Sequence, residues 1–435
     1  MTDRRKLQTA LGLAFLLALT GIAYLCRTGQ GNVTLRIGVY GGSYWGTPDN
    51  DCYQILDNAV RRFEDRHPGV TVEYVSGIPT DAYSEWLAGQ ILRGQEPDLY
   101  FVLPEDFSLL VSSGALKKLD RLIADDPDFD TQIYYEPSLH SGVFSGSQYA
   151  LPYESVPTMM FVNKTLLEEN GIAMPDSSWT WDDFYRICQE VTDVEAHRFG
   201  VYGYTWLNAL YSNGTTLFSE DGYTCYLADE KIEASIQFVK NLNRLNGGYT
   251  VTARDFDLGK VAFRPFLFSE YRAYQPYPWR VKKYTGFEWD CICMPAGKDG
   301  KNVSELHTIL LGLSTRTAHQ ELAWEFLKLL SADTTVQKEL YLYSHGISPV
   351  RSVAESRDFQ DWLDSGIPGG TNFSPEELGN IMSTAVVAPR FAAYSQAVIM
   401  AESAAANELN SEILQKNRLL NAQREINIYL SQHER

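Results

Sequence analysis

Residues 34–39 alternate apolar and polar side chains, the period of a strand with one buried face. The run ends in Tyr40-Gly41-Gly42-Ser43-Tyr44-Trp45, a glycine-containing loop with three aromatic rings. From Ile55 the spacing changes. Ile55, Leu56, Ala59, Val60 and Phe63 fall on one face of a helix, which Pro68-Gly69 stops. Residues 70–75 predict a second strand, 82–92 a second helix and 97–103 a third strand. A β-α-β-α-β succession needs parallel strands joined by helical crossovers, hence an α/β fold. Ligands of such sheets meet the loops at the carboxyl ends of strands, which singles out residues 40–45 and 103–106.

Further along, 106–116 reads as a helix and 120–130 as a looser acidic stretch. Residues 149–162 form one extended segment punctuated by Pro152 and Pro157. Short helices are expected over 164–170 and 181–190. In the second, Thr180 stands as N-cap with Asp183 three residues on. Residues 231–245 are amphipathic at helical spacing and end at Gly247-Gly248. Strands are expected at 289–294 and 306–314, a helix at 320–331, and a long helical pattern with room for one break over 401–430. No repeat is present.

A chain of 435 residues with 44% hydrophobic side chains has material for two cores. Its formal charge of −18 argues against nucleic acid, because phosphates need a basic surface. The same charge argues against docking on anionic lipid. Arg4, Arg5 and Lys6 precede an apolar run from Leu7 to Cys26. Such a start is an export signal or anchor, and its basic flank stays in the cytoplasm, so the remainder is expected on the outer face of the membrane. Three readings fit: an uncleaved anchor, lipidation of Cys26 despite the bulky Leu25 before it, or cleavage, for instance after Ala23. The other cysteines, Cys52, Cys188, Cys225, Cys291 and Cys293, have no zinc-like spacing, and buried free thiols are expected.

Four ordered stretches resemble the bacterial extracellular solute-binding family 1, which serves ABC importers for sugars. Tyr149-Ala150-Leu151-Pro152-Tyr153 leads into Met159-Met160-Phe161-Val162-Asn163-Lys164, similar to a strand that crosses between lobes. Gly171, Pro175 and Ser178-Trp179-Thr180-Trp181-Asp182-Asp183-Phe184 resemble the family's most specific signature. Gly312-Leu313-Ser314, Ala323–Leu330 and Gly346-Ile347-Ser348-Pro349-Val350-Arg351 resemble its late strand, helix and turn, and Leu419–Asn427 its closing helix. The resemblance implies a two-lobed, periplasmic-binding-protein-like fold of type II. Lobe 1 would take 33–150 plus 290–348, and lobe 2 would take 151–289 plus 349–435, after a signal or anchor segment at 1–32. It further implies a monomeric receptor without cofactor or metal. Such a receptor closes on a small polar solute, most simply a carbohydrate, and delivers it to an ABC permease. A sensor subunit signalling to a membrane kinase is the alternative.

Sugars have apolar faces and polar edges, so a site needs aromatic plates beside carboxylates, amides or guanidinium groups. Aromatic and polar residues adjoin in loops at Tyr44 and Trp45, at Glu105, and at Tyr153 and Glu154 on the crossing segment. Trp206 and Asn208, Trp279 beside Arg280, and Arg351 complete the candidates, on family placement as much as on local pattern. Glu270, Tyr271, Arg272 and Tyr274 surround Trp279 in sequence as weaker candidates, and Pro276 and Pro278 break the loop around Trp279; Asp106 is expected to cap the helix it begins, and His307 to be structural. No G-x-S-x-G, P-loop or H-E-x-x-H motif marks an enzyme.

Overall fold

The computed structural model describes residues 33–47, 52–274, 286–365 and 374–433. Cys26 and the basic-apolar start, like Trp279 and Arg280, lie outside the described residues. Among the described residues no helix is long and apolar enough to cross a membrane, and no group of three or more metal-ligating side chains converges.

Two sheets share one strand. We number the strands β1 (Val33–Gly38), β2 (Val70–Tyr74), β3 (Leu99–Val102), β4 (Ala150–Asn163), β5 (Phe199–Val201), β6 (Val261–Leu267), β7 (Trp289–Ile292) and β8 (Leu306–Leu313). A two-residue hairpin, Val143–Phe144 with Ser147–Gln148, lies apart. β1 pairs in parallel with β2 and β3, as two helical crossovers demand. β8 lies antiparallel between β3 and the first half of β4, matching Leu306 with Pro157 and Gly312 with Ala150. Beyond Pro157 the partners of β4 change. Thr158 to Val162 pair with β6, and Met160 to Asn163 with β7. β5 joins the far side of β6 in parallel. The first sheet therefore runs β2-β1-β3-β8-β4 and the second β5-β6-β4-β7. All fourteen residues of β4 are buried, the burial expected of a strand central to two layers.

The two-lobed α/β architecture expected from the sequence is present. Helices cover both sheets, and the first sheet is flanked by Cys52–Arg66 and Gln320–Ala332, which meet through Phe63 and Phe326 at 4.9 Å between ring centroids. Thr180 and Asp183 form a reciprocal capping box at the start of Trp181–Val191, as their spacing predicts. The C-terminal pattern is broken once, into Tyr394–Asn410 and Lys416–His433, and the first of these packs on Glu230–Leu245.

Other expectations are corrected. Asp106 makes no cap hydrogen bond; its carboxylate accepts from Ser84 Oγ at 2.6 Å. The acidic stretch contains a helix, Asp120–Asp125. Residues 268–274, for which the sequence pattern made no assignment, are helical, and Phe268 and Tyr271, three apart and both buried, stack on one face with centroids 5.3 Å apart. β5 and β6 carried no clear pattern: one has three residues, and Pro265 interrupts the other. Cys188, Cys225, Cys291 and Cys293 are buried free thiols.

Candidate functional site

The strand order decides which loops meet. β1 and β3 are parallel neighbours, so the segments leaving their carboxyl ends lie side by side. Tyr44 on the first and Glu105 on the second are joined, the phenol donating to Glu105 Oε2 at 2.8 Å. Burial raises the Tyr44 hydroxyl far above the usual phenol range, and the Glu105 charge adds to this. The phenol is therefore a fixed proton donor. β4 lies antiparallel to β8, which is itself antiparallel to β3, so β4 leaves the first sheet at the same edge. That places Tyr153 and Glu154 beside Trp45. Trp45 Nε1 donates to Glu154 Oε1 at 2.9 Å, and Tyr44 and Trp45 meet edge to face at 5.0 Å.

Tyr44, Trp45, Tyr153 and Glu154 line a cavity of about 50 Å³ together with Tyr40, Phe101, Tyr343 and His345; Glu105 is not part of its lining. The space suits a few waters. Glu154 is 4% exposed. Burial raises its carboxyl above the usual range, opposed by Ser344, Trp45 and the charge of Arg272. Arg272 comes from helix Phe268–Tyr274, which follows β6 of the second sheet. It donates to the carbonyls of Gly346, of Tyr341 at 3.0 Å and of Leu340 at 3.5 Å, and lies 4.4 Å from the Trp362 ring centroid. Burial lowers it to about 10 while Glu154 supports its charge. It thus caps the carboxyl end of helix Thr334–Tyr343, which packs on the first sheet's Cys52–Arg66, and ties the two sheets together at the seam. Gly346 is required here: a Cβ would overlap the Glu154 carboxylate.

The second sheet presents the carboxyl ends of β5 and β6 toward the first, because Leu267 pairs with Thr158, where β4 enters. Trp206 follows β5 and is buried as the first residue of helix Trp206–Ser212. Asn208 Oδ1 accepts from the Thr205 amide at 3.0 Å in a capping box, a structural task at its carbonyl end. Neither residue lines the cavity under Trp45. Arg351 belongs to another cluster. It lies over Tyr135 at 4.7 Å and donates to Ser383 Oγ at 3.1 Å and Glu355 Oε1 at 3.4 Å. His307, at the seam, lies 3.4 Å from Thr158 Oγ1 and 3.8 Å from Glu305.

The sequence reading missed a second wall. Residues 385–393 connect helices Pro375–Thr384 and Tyr394–Asn410, and near their start Val386 is bonded to Ser304 and Leu306. Phe391 packs on Phe218 and Tyr394, and Gly222, with a φ of 74° and no Cβ, leaves the space that ring fills. Arg390 reaches across to the first sheet's loop and donates from Nη1 to the Pro104 carbonyl at 2.6 Å. Its guanidinium lies 6.0 Å from the Phe107 ring centroid. Burial lowers it, while Tyr394, Tyr44, Glu305 and Glu105 support its charge. Burial pushes Tyr394 up to about 12 and raises Tyr211 well above the usual phenol range, so both remain neutral donors. Pro389-Arg390-Phe391, a cation between a proline and an aromatic ring, carries the signal that singled out Trp279, and the same rule would have found it.

The chain matches the family model for bacterial extracellular solute-binding proteins over residues 46–336. No curated protein sequence matches it. Among solved structures, a cyclic alpha-maltosyl-1,6-maltose binding protein from Arthrobacter globiformis superposes with a TM-score of 0.78 at 17% identity, covering 92% of this chain and 100% of that one. The sugar-binding protein MalE from Xanthomonas citri gives 0.74 at 14% identity, covering 92% and 98%. An ABC substrate-binding protein from Listeria monocytogenes, solved with cycloalternan, gives 0.70 at 20% identity, covering 92% and 99%. The overall fold is thus that of these solved proteins, and the chain belongs to the bacterial extracellular solute-binding proteins.

Proposed function

We propose that this protein is a receptor for a carbohydrate, which it binds between its lobes and passes to an ABC-type permease. The observation that carries the reading is the convergence of Tyr44, Glu105, Trp45, Tyr153 and Glu154 with Arg390 and Tyr394 where β4 passes between sheets. Aromatic faces stand beside fixed donors and acceptors there, the combination a pyranose needs. Similar solved proteins carry names that include maltose and other sugars, which supports the solute class. The lobes divide near 33–150 plus 290–348 and 151–289 plus 349–435. Strand pairing favours moving the changes to between Pro157 and Thr158 and to beyond Ile292. The basic-apolar start anchors the protein at the outer face of the membrane. Cys26 is a candidate for lipidation, and Trp279 for a further aromatic plate. Glu105, Trp206, Asn208 and Arg351 stay candidates for contact when the lobes open and close.

The receptor binds without turnover. Calorimetry of the purified protein against neutral mono- and oligosaccharides, with the sugar afterwards recovered by chromatography, tests this. Saturable heat with unchanged sugar is expected. A steady release of cleaved sugar, or no heat across the panel, refutes it.

A further inference from the structure

Arg390 has one donor with nothing to bind. Its Nε–H is buried and makes no hydrogen bond, while Nη1 is held by the Pro104 carbonyl. A buried guanidinium donor without a partner costs on the order of 1–3 kcal/mol, a cost that persists unless something completes it. The groups that act on its charge are carboxylates and phenols from both walls: Glu105 and Tyr44 on one, Glu305 and Tyr394 on the other. Two carboxylates against one guanidinium leave this part of the cleft net negative.

Resting on the carbohydrate reading above, we infer that Arg390 is a specificity-determining residue that selects an uncharged carbohydrate. Its Nε–H donates to a hydroxyl or ring oxygen of the sugar, and Glu105 and Glu305 accept from neighbouring hydroxyls. An anionic solute, whether a uronate, a sugar phosphate or a glycerophosphodiester, would set its charge beside those two carboxylates with a single cation to offset them. A neutral polyhydroxylated ligand uses all three groups without adding charge. Arg390 suits the role better than a lysine would, because its planar fork holds Nη1 on Pro104 while Nε points elsewhere.

The test is calorimetry on the full-length protein, with maltotriose and other neutral oligosaccharides in one arm and a glucuronate-containing disaccharide and glucose 6-phosphate in the other. The wild type is expected to bind at least one neutral sugar and to bind each anionic probe at least tenfold more weakly. R390Q should weaken the neutral sugar at least tenfold, and R390K should not restore it, because a compact ammonium lacks the planar fork that holds one donor on Pro104 while presenting another. A residue that merely holds the lobes together would lower affinity for a sugar and for its deoxy analogues by the same factor. A contact residue loses the discrimination between the sugar and the one analogue that lacks the bonded hydroxyl. Thermal melts of both variants confirm folding. Tighter binding of an anionic probe by the wild type, or binding of the neutral sugar by R390Q within twofold of wild type, overturns the inference. A wild type silent toward every carbohydrate refutes the carbohydrate reading itself.

Discussion

Replacing Arg272 by Met removes the guanidinium that ties helix Phe268–Tyr274 to the carboxyl end of helix Thr334–Tyr343 while keeping most of the side chain's volume. Three carbonyls, of Leu340, Tyr341 and Gly346, lose a charged donor, and Glu154 loses its buried cationic neighbour. Removing one side of a buried charged pair costs about 3–5 kcal/mol. At about 2–4 °C per kcal/mol for a folding unit of this size, the midpoint of thermal unfolding should fall by about 6–20 °C at pH 7.5. The pH dependence separates this cause from simple loss of packing. Burial already raises the Glu154 carboxyl, and Arg272 opposes that rise. In the variant the carboxyl rises further, so the folded state takes up a proton that the unfolded chain, near 4.3 for glutamate (about), does not hold at pH 5. A carboxyl raised in the fold contributes stability at low pH that is lost as pH climbs through the folded value. The deficit of the variant should therefore shrink between pH 7.5 and pH 5. Differential scanning calorimetry at both values reads it. A midpoint within 2 °C (roughly half to one kcal/mol) of wild type, or a deficit equal at both pH values, refutes the role given to Arg272.

Thr180→Ala removes one half of the capping box and should cost about 1 kcal/mol in urea unfolding without changing ligand affinity. Tyr44→Phe deletes the phenol bonded to Glu105 and should weaken sugar binding severalfold by calorimetry, with a stability change below about 1.5 kcal/mol. With Cys26 and Cys52 replaced by serine, the four remaining thiols should not react with a disulfide reagent at pH 8 until denaturant is added. Burial raises them all, Cys293 to about 12, and rapid labelling of the native protein would contradict that.

Residues 33–103 were legible because their elements are local: alternation in β1, helical spacing after Ile55, and a Pro-Gly stop before β2. The crossing strand was legible through resemblance. Its uniform burial, with Pro152 and Pro157 inside, carries no period of its own. Short elements of the second lobe were not legible, since three residues in β5 or seven in Trp206–Ser212 are too few to show a period. For the site, Tyr44 with Glu105 and Trp45 with Glu154 were nominated separately, and the parallel β1–β3 pair and the course of β4 bring each pair together. Arg390 carried a local signal, between Pro389 and Phe391, that was passed over, and Arg272 stood among Glu270, Tyr271 and Tyr274 with nothing local to rank it above them. Each bonds carbonyls more than sixty residues away in sequence, and carbonyls leave no trace in the amino-acid code.

The central claim is that a carbohydrate sits between the two walls that meet at the seam of β4. A crystal structure of the protein grown with the sugar selected by calorimetry tests it most directly. The account predicts density for the sugar in contact with Tyr44 or Glu105 from one wall and with Arg390 or Tyr394 from the other. Density that touches only one wall, or a site elsewhere with this seam empty, would contradict it.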